Sequence, residues 1–379
     1  TGAPSNTAYA TALSCAPPPV CSPSSQTRMI GENALFSATS GVSPYAWSAP
    51  GGSPSAGSGG SFSTSYSSSG TKTVTLTDSL GTPATCSVTV PVIPTANLSA
   101  SPLNIPWNTA STLSWTSTNA TSCTASGAWS GAKSVSGSES TGNLTSFPRT
   151  YTITCTGPGG TSLPDSVTIN QSTPTLSINL TSVPSPATGN VPLPVTFSAA
   201  ITAYNGNPAL GVNYSFWWNC SNPTNSVSIA NSDPACGTLP TPSPGTCASN
   251  QYGYKCDGMD AGQQLPSESA NYTYGLGGNY TAKVIVERSF AVPQTDTVLV
   301  TAIIPPLGSL SCDVNPKSIE VGEDATWTAT WVGGQPNYTV IWSGDAPLPR
   351  TVVTAVTFSS VTVQYSEPGD YSGSVQVQS

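Results

Sequence analysis

Histidine is missing altogether from this 379-residue chain, and only nine residues are Lys or Arg. Each scarcity removes a class of chemistry. Without histidine, a serine or cysteine nucleophile lacks its usual general base, which disfavours a hydrolytic triad. Without histidine and without a CxxC pair, the ten cysteines do not read as a transition-metal site. Nine cations scattered singly, in a chain of formal net charge −8, cannot line a phosphate backbone, so nucleic acid is not an expected partner. No run of about 18 apolar residues offers a membrane-spanning helix, and no charged-then-apolar leader opens the sequence. Thr1 rather than Met stands first, which suggests a processed or internally bounded piece, most simply an exported, mature product.

Carboxylates remain as the only candidates for acid–base work. An acid pair can be assembled from distant positions. The densest groupings here, Asp257 with Asp260 and Glu320 with Glu323 and Asp324, fall at expected turns and read as solvated residues. Asp257 and Asp260 also lack the spacing of a calcium loop. The expectation is therefore no catalytic residue, no cofactor and no metal.

What is present is glycine, proline, serine and threonine, at a density that argues against long helices. Apolar residues alternate in short runs and nowhere keep a helical period. The fold class expected is all-β, and the length calls for several β-sandwiches in tandem, elongated like beads on a string. Cysteines in such a chain read as disulfides formed in an oxidising compartment, hence a secreted protein.

Taken in order, residues 1–20 form an extension in which Tyr9–Cys15 can make a short strand before Pro17-Pro18-Pro19 stops it. Residues 21–93 form the first sandwich, with Trp47 as the large filler between sheets and Val74 and Leu76 on one face; Gly51–Ser61 reads as a loop without fixed structure. Residues 94–171 form the second, with Leu113 and Trp115 on one face and Cys123 paired to Cys155. That bond closes a loop of about 32 residues, worth roughly 3–4 kcal/mol in the chain-entropy picture. Residues 172–304 form the third, carrying an insertion at 219–269 with Cys220, Cys236, Cys247 and Cys256. Of the three pairings open to these four, the local one, Cys220 with Cys236 and Cys247 with Cys256, is preferred. Tyr252 and Tyr254 of the insertion are either a ligand surface, for glycans or a host or neighbouring cell, or cover for the insertion's own small core. Residues 305–379 form the fourth sandwich.

The first and fourth units repeat one another. Ile30-Gly31-Glu32 follows Cys21 as Val321-Gly322-Glu323 follows Cys312, and Tyr66…Gly70 recurs as Tyr365…Gly369. Tyr-x-x-x-Gly followed by alternating apolar positions, also at Tyr274…Gly278, resembles the PKD-type sandwich. Ser111–Cys123 with Tyr151–Gly160 resembles an Ig-like repeat of secreted bacterial surface proteins of candidate-phylum type, and Phe216–Cys220 with Tyr280–Arg288 resembles the PKD repeat found beside it. The resemblance implies a secreted stalk, spacer or adhesive structure. The acidic Trp-Asp-Phe-Gly-Asp-Gly motif of many PKD domains is replaced by Trp47-Ser-Ala-Pro-Gly-Gly and Trp342-Ser-Gly-Asp, so no calcium role is carried over.

After its Gly70, the first unit runs on into a closing strand, Ala84–Val90 with Cys86, and the fourth unit has no counterpart. With Cys21 assigned to Cys86, Cys15 and Cys312 are left over. The expected function is a structural subunit of an extracellular, cell-surface filament, polymerised head to tail. Tyr9, Ala10, Thr11, Ala12 and Leu13 are the donated strand, Tyr371, Gly373, Val375 and Val377 the receiving edge, and Cys15 with Cys312 the intersubunit link. Competing readings are Cys15 bonded to Cys21 or Cys86 with the partner of Cys312 lying beyond the end of this sequence, copies joined covalently in one giant chain, a monomeric adhesin stalk with ligand binding in the third sandwich, and a carbohydrate-binding accessory region of a larger secreted enzyme.

Overall fold

The computed structural model describes residues 16–345, 347–348 and 350–379. Among them the strands form eight sheets, falling into four consecutive pairs. Every pair encloses its own apolar core, because alternate residues of each strand turn inward and must be covered by the facing sheet. Backbone contacts divide the chain into two units, residues 1–172 and 173–379, each holding two of these sandwiches.

In the first sandwich one sheet contains Cys21–Ser22, Ala34–Ala38, Ser61–Tyr66 and Gly52–Ser53. The other runs Ser25–Thr27, Pro83–Val90, Gly70–Thr77, Ala46–Ser48 and Ala56–Ser58. Trp47, 2% exposed, stacks on Phe62 with ring centroids 5.7 Å apart. The Gly/Ser run expected to be a structureless loop is folded into strands instead. Small residues are required there by close packing: a Cβ on Gly57 would stand 2.6 Å from the Phe62 ring.

The second sandwich places Thr95–Ser101, Thr112–Thr118 and Ser136–Ser140 against a sheet built on Ser122–Gly127, Arg149–Gly157 and Asp165–Gln171. Cys123 and Cys155 are bonded directly across two neighbouring strands of that one sheet, whereas Cys21–Cys86 spans from sheet to sheet.

The third sandwich is the largest. Leu176–Val183, Leu193–Tyr204 and Ser267–Tyr274 face a sheet of Ala187–Asn190, Gln294–Ile303, Gly278–Arg288, Val212–Trp217, Gly253–Met259 and Thr246–Ser249. Much of the stretch read as an insertion at 219–269 is thus part of the sheets. Only Asn219–Gly245 forms a separate lobe, with the short helix Val227–Ser232 and a bond from Cys220 to Cys236. Cys247 and Cys256 are bonded across neighbouring strands. Two buried cations hold the loops down. Lys283, 1% exposed, donates to the carbonyls of Asn222 and Thr224. Arg288, also 1% exposed, donates to the carbonyls of Gln263, Gln264 and Pro208 and lies 4.1 Å from the Tyr204 ring.

In the fourth sandwich Leu310–Asn315, Asp324–Trp331 and Phe358–Gln364 form one sheet, and Arg350–Thr354, Tyr338–Gly344 and Gly373–Gln378 the other.

Candidate functional site

The first three sandwiches share one edge arrangement. A penultimate strand (Gly70–Thr77, Arg149–Gly157 or Gly278–Arg288) is covered by an antiparallel closing strand (Pro83–Val90, Asp165–Gln171 or Gln294–Ile303). Each closing strand is covered in turn by a short parallel strand, Ser25–Thr27, Asn104–Ile105 or Ala187–Asn190. In the fourth sandwich Gly373–Gln378 pairs with Tyr338–Gly344 on one side, and among the described residues nothing pairs with its other side.

Two equivalences fix the correspondence with the first sandwich. Leu76 lies opposite Trp47 as Val375 lies opposite Trp342. Gly31 donates its N–H to the Tyr66 carbonyl at 2.9 Å, and Gly322 donates to that of Tyr365 at 3.0 Å. The repeated Gly-Glu has a local cause, since Glu32 accepts from the Met29 N–H and Glu323 from the Glu320 N–H, closing the same turn. Val74 therefore corresponds to Gly373, Leu76 to Val375 and Cys21 to Cys312.

Side-chain exposure follows the uncovered edge. Leu76 is 0% exposed, whereas its counterpart Val375, like Val377 beyond it, is only half-buried. Cys21 is buried in its bond to Cys86, and Cys312 is an exposed free thiol. Its pKa is raised, first by partial burial and then by the neighbouring Asp313 carboxylate. The edge strand is nonetheless held firmly at its start. Asp345 accepts from the Ser372 N–H at 2.7 Å and from its hydroxyl at 3.1 Å, and these bonds lower the Asp345 pKa. Gly373 is obligatory because a Cβ there would lie 2.9 Å from the Trp327 ring.

Beside the edge is a cavity of about 350 Å³, whose lining includes Lys317, Ile319, Trp327, Tyr365, Pro368 and Tyr371. It occupies the place that Val88 and Val90 fill in the first sandwich, between the short parallel strand and the start of the penultimate one. Tyr371, read from sequence as part of the receiving edge, precedes the strand and lines this cavity instead. Its ring stacks on Tyr365 at 3.7 Å and its hydroxyl donates to the Glu367 carbonyl at 2.7 Å. Tyr280 makes the same bond to Leu276 in the third sandwich. This tyrosine corner was missed in the sequence, and the shared signal is Gly278-Asn-Tyr280 and Gly369-Asp-Tyr371. The candidate donor residues Tyr9, Ala10, Thr11, Ala12, Leu13 and Cys15 lie outside the described residues.

The fold is immunoglobulin-like. No protein-family model matches the sequence, and no curated protein does. Among solved structures the chain is similar to an ICAM-5 D1–D4 ectodomain fragment, with 11% identity, 95% of this chain and 97% of that one covered, and a TM-score of 0.44. It is similar also to the N-terminal eight Ig domains of Down Syndrome Cell Adhesion Molecule (10% identity, 94% and 53% covered, TM-score 0.20). Fibronectin(III)-like modules of Clostridium thermocellum CbhA match at 16% identity over 40% of this chain and 92% of theirs, with a TM-score of 0.22. The immunoglobulin-like chain spans 29% of the E. coli alpha-2-macroglobulin that it also resembles.

The second place of interest is in the third sandwich. A cavity of about 280 Å³ is lined by Trp218, Tyr252, Tyr272, Tyr274 and Tyr280 among others. Tyr272 stacks on Trp218 at 4.9 Å, and Tyr252 is 42% exposed. Tyr254, left open from sequence between a ligand surface and cover for the core, is partly buried with its ring edge against Phe216. Cys247, Cys256 and Glu268 cluster together, but both sulfurs are consumed in their disulfide and cannot hold a metal. Burial, with Asp260 adding to it, raises the Glu268 pKa against the opposing bond from the Ser269 N–H. Folding therefore favours the protonated carboxyl, and that contribution is present below the ordinary carboxylate pKa and lost as pH rises through the raised one. Glu268→Gln should raise the melting temperature of this sandwich at pH 7 by about 2 °C and leave it unchanged near pH 4, as read by calorimetry.

Proposed function

We propose that the chain is a non-enzymatic subunit of an extracellular filament, in which the leading segment of one copy completes the fourth sandwich of the next. The observation that carries this reading is the outer edge of Gly373–Gln378, unpaired among the described residues, together with the exposed Cys312. An uncovered strand leaves a row of backbone donors and acceptors that a further strand can satisfy. Three sandwiches of the same chain supply the template for that strand: antiparallel to the penultimate strand, and in the first of them carrying a cysteine for the opening strand.

Placing Cys15 where Cys86 stands puts it opposite Gly373, and Ala10 then falls opposite Gln378. The stretch Ala10–Cys15 thus spans the open edge strand end to end. Thr11, Leu13 and Cys15 face inward, with Leu13 set against Val375. The prolines begin just beyond, where the edge strand has not yet started, so they remove no ladder bond. A head-to-tail contact of this kind does not close on itself and so builds a fibre. Disulfides, low charge and a hydroxyl-rich surface suit a durable secreted object.

Non-reducing electrophoresis of the oxidised protein should give a ladder of multimers that collapses on reduction. Cys312→Ser should abolish it, and a ladder that survives this substitution would contradict the reading.

The aromatic cavity at Trp218 supports a second reading, a surface stalk that binds neutral glycan through ring stacking. It is tested by the loss of glycan-array binding in Tyr252→Ala.

A further inference from the structure

We infer that the cavity beside the open edge is a receptor for the proline stretch of the incoming copy, with Pro17 as the plug. This rests on the strand-donation reading and adds to it the identity of the group that seals the junction. In the first sandwich the residues that follow Cys86 are Ser87 and Val88. Val88 is fully buried, lying between Gln26 of the short parallel strand and Lys72 of the penultimate one. The register that sets Cys15 opposite Gly373 carries Pro17 into the position of Val88, opposite Tyr371 and beside Lys317.

That position is where the fourth sandwich has a cavity of about 350 Å³, walled by Trp327, Tyr365, Tyr371 and Ile319. A proline ring is close to valine in bulk and packs well on aromatic faces. It has no N–H to donate, which costs nothing at this place past the end of the ladder. The donor's own fold leaves the residue free for this. Pro19 is buried in the first sandwich, its ring against Gly41, and the Pro18 carbonyl accepts from the Ser40 hydroxyl at 2.7 Å, while Pro17 and Pro18 are both exposed. The chain is therefore anchored two residues after the proposed plug. Alternation turns Pro17 toward the acceptor core and Pro18 away from it.

The test uses the full chain in a glutathione redox buffer, where the equilibrium fraction of Cys15–Cys312 linked peptide, quantified by mass spectrometry, reports how strongly the two segments hold together. Pro17→Asp should lower the linked-to-free ratio at least about tenfold, because a carboxylate would be placed against aromatic rings in a cavity that already carries Glu320, Glu367 and Asp370 against the single Lys317, itself paired to Asp313. Pro18→Asp should leave it within about twofold. Both side chains are exposed on the donor, so neither substitution disturbs its fold. Equal ratios in the two variants and the parent would overturn the plug while leaving strand donation standing. No linked peptide in the parent protein would overturn both.

Discussion

A chain carrying a second copy of residues 7–16 after Ser379, joined by a flexible linker, should be monomeric, and its fourth sandwich should melt about 10 °C higher than in the parent. The gain comes from covering Val375 and Val377, now half-buried, and from burying the added Leu13. Full burial of an aliphatic side chain is worth about 1.5–3 kcal/mol and each added ladder bond about 0.5–1.5 kcal/mol, set against about 1–2 kcal/mol per residue ordered, and the higher melting temperature requires a net surplus of about 2 kcal/mol. In a domain of this size that corresponds to a shift of about 10 °C. Polymerisation should cease because the edge is filled within its own chain. The measurements are calorimetry and sedimentation. A variant that still forms the ladder, with an unchanged fourth transition, would show that the segment does not occupy the edge.

The largest single-residue loss of stability is expected at Arg288. Arg288→Met should destabilise the third sandwich by about 3–5 kcal/mol, read from urea unfolding. Its guanidinium satisfies the carbonyls of Gln263, Gln264 and Pro208 and faces Tyr204, and methionine fills part of the volume but donates nothing. Each bond from a charged donor is worth about 1.5–3 kcal/mol, and a carbonyl left dry adds its own penalty. Tyr252→Ala, on the exposed rim of the lobe, should change stability little.

The all-β architecture was legible because alternation and turn residues recur at strand spacing, and Trp47, Leu113 and Trp115 could be located as inward-facing from it. The local pairing of the third sandwich's cysteines was legible as a preference. What could not be read is that Gly253–Met259 and Thr246–Ser249 extend the main sheet, because short polar strands between cysteines carry no alternation signal. The Gly51–Ser61 stretch was misread for a related reason: Gly57 is small to fit under Phe62, and composition alone cannot tell close packing from flexibility. Arg288 and Lys283 were invisible as loop anchors, since their partners are backbone carbonyls, which leave no mark in sequence.

At the candidate site the repeat between the first and fourth units was informative where it is strict. Gly31-Glu32 and Gly322-Glu323 set the same turn, and Cys21 and Cys312 sit at equivalent places. The edge was anticipated one tyrosine too early, since Tyr371 closes a corner onto Glu367 before the strand begins. The cavity had no sequence signal of its own. It lies where, among the described residues, nothing stands in the place that Val88 and Val90 take in the first sandwich, and only the register of the paired strands reveals it.

The most direct test mixes protein grown on natural-abundance nitrogen with protein grown on ¹⁵N, oxidises the mixture, and sequences the linked peptides. Strand donation predicts one species joining Cys15 to Cys312, with hybrids of light and heavy partners at the proportion expected for random pairing between molecules. Finding Cys15 bonded to another cysteine, or linked pairs with no isotopic hybrids, would contradict it.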